Sequence, residues 1–200
     1  MNDDYEILAR ETVYRGFFRI ERFRLRHRLY RGGWTTPMER EVFERDLAVG
    51  VLLYDPAADA LVLIEQFRLP PLVAGFPLWQ TEIVAGIVDA RDGSEAEVAR
   101  REAQEEAGVE IIGELVPIHR YMPSPGGSSE IIALYCGRVD SRNAGGFHGI
   151  ADEHEDIKVL VLGYREAMRR LRAGDIVNGP TVLALHWLAG NRARLRRRWA

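Results

Sequence analysis

The sequence of 200 residues predicts an α+β fold: strands first, one long helix in the middle, more strands, and two helices at the end. Three observations carry that expectation. The N-terminal segment alternates apolar and charged residues, as in Phe23-Arg24-Leu25-Arg26-His27-Arg28-Leu29-Tyr30, which is the two-residue period of a half-buried strand. Two apolar runs, Leu47 to Tyr54 and Ala60 to Phe67, flank the turn-forming Asp55-Pro56-Ala57-Ala58-Asp59 and read as a hairpin. A capped, Glu-rich run from Ser94 to Gly108 then switches to helical character.

Taken in order, residues 1–45 are expected to form a small antiparallel β subdomain, and residues 46–200 a mixed sheet clasped by helices. After the hairpin, a Pro/Gly-rich passage from Pro70 to Pro77 leads to the apolar run Glu82-Ile83-Val84-Ala85-Gly86. Ser94 with Glu97 three residues on makes a capping box, the following Ala, Glu, Arg and Gln are good helix formers, and Gly108 ends the helix. Further strands are expected near Glu114 to Met122, Glu130 to Val139 and Ile157 to Gly163, with a Gly-rich loop from Asn143 to Gly149 between the last two. Tyr164 to Ala173 is amphipathic, with Ala167, Met168 and Leu171 on its apolar stripe. Pro180 marks a helix start before Val182 to Leu188, and the basic run Arg192 to Arg198 complements the dipole at a helix end.

Composition removes several classes of function. Hydrophobic residues at 46% and charged ones at 28% describe a globular chain with one sizeable core. A formal net charge of -3 offers no electrostatic basis for a nucleic-acid partner. The single cysteine, Cys136, excludes an internal disulfide and sits in an alternating apolar run, so it reads as a buried structural thiol. No opening signal peptide is present and no apolar run approaches the ~20 residues of a membrane span, so a cytoplasmic protein without a membrane partner is expected. His27, His119, His148, His154 and His186 are scattered without ligand spacing and argue against zinc; His154 lies between acidic residues and is expected to face solvent.

The chemistry concentrates between Gly86 and Val109. Glu102 and Glu106 are four apart on the expected helix, so they stand on one face with Glu105 at its border. Like charges stacked in this way repel, and the arrangement suits either a solvated acidic face or a hard cation. The run Arg101-Glu102-Ala103-Gln104-Glu105-Glu106-Ala107-Gly108-Val109, with Gly86 upstream, resembles the box of the Nudix hydrolase family, G-x5-E-x7-R-E-U-x-E-E-x-G-U. The loop from Asp89 to Ser94 carries one residue more than that pattern, which puts Asp92 or Gly93 where the family has its first Glu. The extra residue precedes the cap and leaves the register of Glu102 and Glu106 untouched.

Further passages are similar to the bacterial ADP-ribose pyrophosphatase branch of that family. They are Tyr14 to Phe18, Arg40 to Val49, Ile64 to Arg68, Ser124 to Glu130, and His148 to Asp156. The resemblance implies the Nudix fold and Mg²⁺-dependent hydrolysis of ADP-ribose to AMP and ribose 5-phosphate, with Mn²⁺ as a possible substitute. It implies that the Ala85 carbonyl and Glu102, Glu106 and Glu155 hold the metal, that Arg101 and Glu105 support them, and that Glu153 is the general base. It further implies that Phe17 stacks on adenine beside Phe18, that Arg68 clamps phosphate or terminal ribose oxygens, and that Ser124, Pro125, Gly126, Glu130 and the Ile87 backbone line the ribose end. Arg40, Glu41 and Arg45 would reach across a homodimer interface, so that active sites are shared. Two alternatives stay open: another nucleoside diphosphate sugar such as GDP-mannose as substrate, and a module that binds ADP-ribose without cleaving it.

Overall fold

The computed structural model describes residues 4–89, 92–150, 152 and 154–199. The chain divides into two compact units, Met1–Leu47 with Met122–Ile131, and Ala48–Tyr121 with Ile132–Ala200.

In the first unit, β1 (Tyr5–Arg15), β2 (Arg19–His27) and β3 (Met38–Glu44) form an antiparallel sheet in the order β1-β2-β3. Its faces bury little apolar surface, and cross-strand ion pairs take over part of the work of cohesion. Arg10 bonds Glu21 at 3.0 Å and Glu44 at 2.5 Å, Arg22 bridges Glu11 and Glu41 at 3.1 Å each, and Arg26 bonds Glu6 at 2.6 Å. Hydrogen bonds from Thr12 and Arg10 hold the buried Glu21 carboxyl below its usual range. The segment 122–131 joins this unit by backbone bonds to β3, Phe43 N–H to the Gly127 carbonyl at 2.8 Å and Ser129 N–H to the Phe43 carbonyl at 3.1 Å.

The second unit holds a mixed eight-stranded sheet. Its strands are β4 (Leu47–Asp55), β5 (Ala60–Phe67), β6 (Trp79–Glu82), β7 (Val84–Ile87), β8 (Ile112–Tyr121), β9 (Ile131–Arg138), β10 (Phe147–His148) and β11 (Ile157–Gly163). The path runs β10-β11-β5-β4-β9-β8, with β6 paired to β5 and β7 to β4. The expected hairpin is formed by β4 and β5: Asp55 Oδ1 accepts the Ala57 and Ala58 N–H groups at 2.9 and 3.0 Å, and Asp59 takes a left-handed φ of 52°. Helices α1 (Pro70–Ala74), α2 (Glu95–Ala107), α3 (Tyr164–Ala173) and α4 (Gly179–Arg198) complete the unit.

Both faces of the central hairpin are covered. Leu52, Tyr54, Leu61 and Leu63 pack in one cluster with Ala167, Met168 and Leu171 of α3 and Ala184, Leu185 and Leu188 of α4. Val51, Leu53, Val62 and Ile64, the alternate residues, are equally buried but lie outside that cluster, on the face where α2 contacts β5 and β7. Burial on both faces explains why these strands read as continuous apolar runs. Cys136 lies in the first cluster, as expected, and burial pushes its thiol pKa up.

The last helix runs from Gly179 to Arg198 and takes in both the Val182–Leu188 run and the basic end from Arg192; Asn178 caps it by accepting the Thr181 N–H at 3.0 Å, and Leu195 is buried near its end. The Pro70–Pro77 passage contains the short α1, ended by Gly75 at a φ of 76°. Among the described residues, no helix is long and apolar enough to cross a membrane.

Candidate active site

Helix α2 is fixed before its acidic face does anything. Ser94 accepts the Glu97 N–H at 3.3 Å, and Gly108 closes the helix in the left-handed region at a φ of 62°. Glu95 in the first turn accepts bonds from Tyr135 and Arg120, both at 2.5 Å, which ties the helix start to β9 and β8. Val98, Ala99, Ala103 and Ala107 face inward, and so does Glu106, which is only 4% exposed.

Glu106 is therefore a buried acid and not part of a solvated helix face. Its Oε2 accepts the Ala85 N–H from β7 at 3.0 Å. Burial pushes its pKa up to about 8, and the charges of Glu102 and Glu155 add to that rise while the Ala85 N–H and Arg68 oppose it. Burial also raises Glu102, again with Glu105 and Glu155 contributing and Arg101 opposing. A Cβ on Gly86 would fall 1.8 Å from Glu102 Oε1, so only glycine lets β7 approach this carboxylate. Arg101 bonds both Glu102 and Glu105 at 2.8 Å and lies 3.7 Å from Asp92 in the lengthened entry loop.

Glu155 reaches the same neighbourhood from the loop before β11. Its Oε2 accepts the Ile150 N–H at 3.0 Å, and the Gly149 N–H donates to the Glu105 carbonyl at 3.2 Å, so the loop rests on α2. Gly149 has a φ of 100°, and a Cβ there would lie 2.7 Å from the Glu155 Cβ. His148 packs on the helix terminus, where a Cβ on Gly108 would meet its ring at 2.3 Å. Glu153 lies outside the described residues; His154 beside it is exposed. Among the described residues, no three His, Cys, Asp or Glu groups converge tightly enough to hold a metal ion as they stand. Each of the three carboxylates has its own partner: Arg101 pairs with Glu102, the Ala85 N–H donates to Glu106 and the Ile150 N–H donates to Glu155.

Arg68 follows β5 and donates through Nε and a terminal nitrogen to Glu82 Oε2 at 3.1 and 2.9 Å. Ile87 ends β7 with an exposed side chain. Sequence reasoning singled out Arg68 and missed Glu82, whose only signal was a charged residue at the head of an apolar run.

The remaining candidates belong to the first unit. Phe17, 91% exposed, meets Phe18 edge-on at a centroid distance of 4.9 Å; Phe18 meets Phe43 at the same distance. Arg45 lies over Phe18 at 5.1 Å and pairs with Glu130 at 3.5 Å, while its N–H donates to Ser129 Oγ at 2.9 Å. Ser124, Pro125 and Gly126 form an exposed turn, with the Ser124 carbonyl accepting the Gly127 and Ser128 N–H groups. Phe17, Phe18, Arg45 and Glu130 are thus brought together around Phe43, an organising residue that sequence reasoning missed. Arg40 and Glu41 do not join them: Arg40 bonds the Glu39 carbonyl at 2.8 Å, and Glu41 pairs with Arg22.

A glycine-bearing strand pressed on a buried acidic helix face, within a mixed sheet flanked by helices, defines a hydrolase of the Nudix class. The NUDIX domain matches residues 44–178, and the chain belongs to the Nudix family. It is 43% identical over 198 residues to an ADP-ribose pyrophosphatase of Escherichia coli (strain K12), covering 99% of this chain and 94% of the relative. It is 38% identical over 153 residues to a GDP-mannose pyrophosphatase of Escherichia coli O1:K1, covering 75% of this chain and 77% of that one. A solved structure described as an ADP compounds hydrolase shares the fold, with a TM-score of 0.68, 23% identity, and coverage of 94% of this chain and 96% of the other.

Proposed function

We propose that this protein hydrolyses the pyrophosphate bond of ADP-ribose, releasing AMP and ribose 5-phosphate. One observation carries the choice of substrate. The similarity to an ADP-ribose pyrophosphatase runs over 99% of the chain and so includes the N-terminal strands outside the NUDIX match, whereas that to a GDP-mannose pyrophosphatase covers 75%.

The acidic cluster suits Mg²⁺, with Mn²⁺ as a substitute. Glu106 is an acid whose charge is opposed by burial and by two neighbouring carboxylates, and a hard cation is the partner that relieves this. Glu102, Glu106 and Glu155, with the Ala85 carbonyl, would hold it. A cation held there would supply charge neutralisation for the diphosphate. Arg101 and Glu105 balance charge at the helix surface and keep Glu102 oriented. Glu153 takes a proton from the attacking water as its oxygen bonds to phosphorus and the bridging oxygen leaves with the other phosphate. Gly145, Gly146 and Gly149, which precede Glu153 in the sequence, would let substrate trigger closure of the loop that carries it.

Recognition is assigned to the first unit and Arg68. Phe17 and Phe18 offer an exposed ring pair to adenine; Arg45, Glu130, the Ser124-Pro125-Gly126 turn and the Ile87 backbone line the sugar end; Arg68 clamps anionic or ribose oxygens. Arg40 and Glu41, which stand apart from the Phe18–Arg45 cluster, serve the site of a partner subunit in a homodimer. The exposed Tyr5, Ile7 and Tyr14 side chains of β1 give such a dimer apolar surface to bury. We assign residues 1–45 to dimerisation and base recognition, residues 46–200 to hydrolysis, and the protein to the cytoplasm, with neither nucleic acid nor membrane as a partner.

Chromatography of a reaction with ADP-ribose and Mg²⁺ tests the reading, with equal amounts of AMP and ribose 5-phosphate expected. A protein that binds ADP-ribose in calorimetry but releases no AMP is a binding module instead.

A further inference from the structure

We propose that Glu82 is a positioning residue for substrate binding, holding the Arg68 guanidinium in the orientation that receives the substrate's anionic or ribose oxygens. This rests on the functional reading above, in which Arg68 faces the substrate.

Glu82 ends β6 and is 6% exposed, an unusual place for a carboxylate unless it is fully partnered. Its two oxygens have separate duties. Oε2 accepts both Arg68 bonds and a third from Gln66 Nε2 at 3.3 Å, while Oε1 accepts Asn178 Nδ2 at 2.9 Å. Asn178 is itself fixed, because its Oδ1 caps α4 and accepts the Thr181 hydroxyl at 2.6 Å, and Thr181 Oγ1 accepts the Ile83 N–H at 2.9 Å. Rigid partners in β5, β6 and the start of α4 therefore anchor one flexible arginine.

The pair is one-sided. The Arg68 side chain remains 45% exposed while that of Glu82 is 8% exposed, and only two of the guanidinium's N–H directions are used. The other donors are left for a ligand. The charge of Arg68 is also felt at Glu106, where it opposes the rise caused by burial. Without Glu82, the acidic cluster would attract the guanidinium and set it in competition with a cation. An arginine already held also loses less freedom when substrate arrives.

A double-mutant cycle with Glu82→Gln and Arg68→Met tests this, read both as KM in turnover and as the Kd of ADP-ribose by calorimetry in EDTA. Glu82→Gln keeps the volume but turns an N–H₂ group toward donors that need an acceptor. KM and Kd are expected to rise roughly tenfold with kcat within about twofold. In the Arg68→Met background the same change is expected to leave Kd where Arg68→Met puts it. An unchanged Kd in Glu82→Gln, or the same rise with and without Arg68, overturns the proposal. Should Glu82→Gln fail to fold, Glu82→Asp, which keeps the charge and retracts it from Arg68, is read in the same cycle. A wild-type protein that binds ADP-ribose without cleaving it would sink the hydrolase reading and leave the Kd cycle to decide on Glu82.

Discussion

Replacing Glu106 by Gln should make the metal-free protein more stable while removing its activity. Glu106 is an acid whose pKa in the fold, about 8, stands above its ordinary value of 4.5. The destabilisation is therefore absent below about pH 4.5, grows as the pH rises towards 8, and levels off beyond. At pH 7.5 the shift corresponds to at most roughly 4 kcal/mol, and relaxation around the charge brings the expected gain nearer about 2 kcal/mol. At pH 5 it is below about 1 kcal/mol. Glutamine removes the charge, and its amide oxygen still accepts the Ala85 N–H that now bonds Glu106 at 3.0 Å. Thermal melts in EDTA should place the variant about 4–8 °C above wild type at pH 7.5, with the gap closing towards pH 5. Mg²⁺ should then stabilise wild type more than the variant, whose turnover falls by about a hundredfold or more. A variant that melts at or below wild type at pH 7.5, or a gap indifferent to pH, would refute the view of Glu106 as a buried acid awaiting a cation.

Other substitutions probe separate parts of the site. Gly86→Ala places a methyl group 1.8 Å from Glu102 Oε1, so kcat/KM should fall by about tenfold or more, and unchanged kinetics would mean that Glu102 works from another position. Phe17→Ala, at a residue 91% exposed, should leave the Tm within about 1 °C of wild type but raise KM for ADP-ribose by about five- to tenfold; an unmoved KM places adenine elsewhere. Glu153→Gln should lower kcat by about a hundredfold or more with ADP-ribose still bound in calorimetry, and an unchanged kcat moves the base to another group.

Much of the fold is legible in short-range pattern. The Ser94 cap, the Gly108 stop and the Asp55–Asp59 turn are local devices, and each appears where its residues stand. The alternation in β1 and β2 likewise marks strands, although it says nothing of the ion pairs that hold them. What the sequence hides is contact across distance. Arg45 meets Ser129 across 84 residues and Glu82 meets Asn178 across 96, so neither the Phe43-centred cluster nor the anchoring of Arg68 has a local signature. Spacing puts Glu102 and Glu106 on one face, yet the burial that raises Glu106 comes from β7 packing on that face, with Gly86 as the residue that permits it. The basic Arg192 to Arg198 run does end a helix, but its partner is again distant in sequence: Arg192 and Arg196 pair with Asp59 of the β4–β5 turn, Arg196 at 3.6 Å.

Initial rates with ADP-ribose, ADP-glucose and GDP-mannose, measured side by side at saturating Mg²⁺ with products resolved by chromatography, test the central claim most directly. ADP-ribose should show the highest kcat/KM, by about tenfold or more over each of the others, with AMP and ribose 5-phosphate as its products. GDP-mannose turned over faster than ADP-ribose, or no AMP released from ADP-ribose, would contradict it.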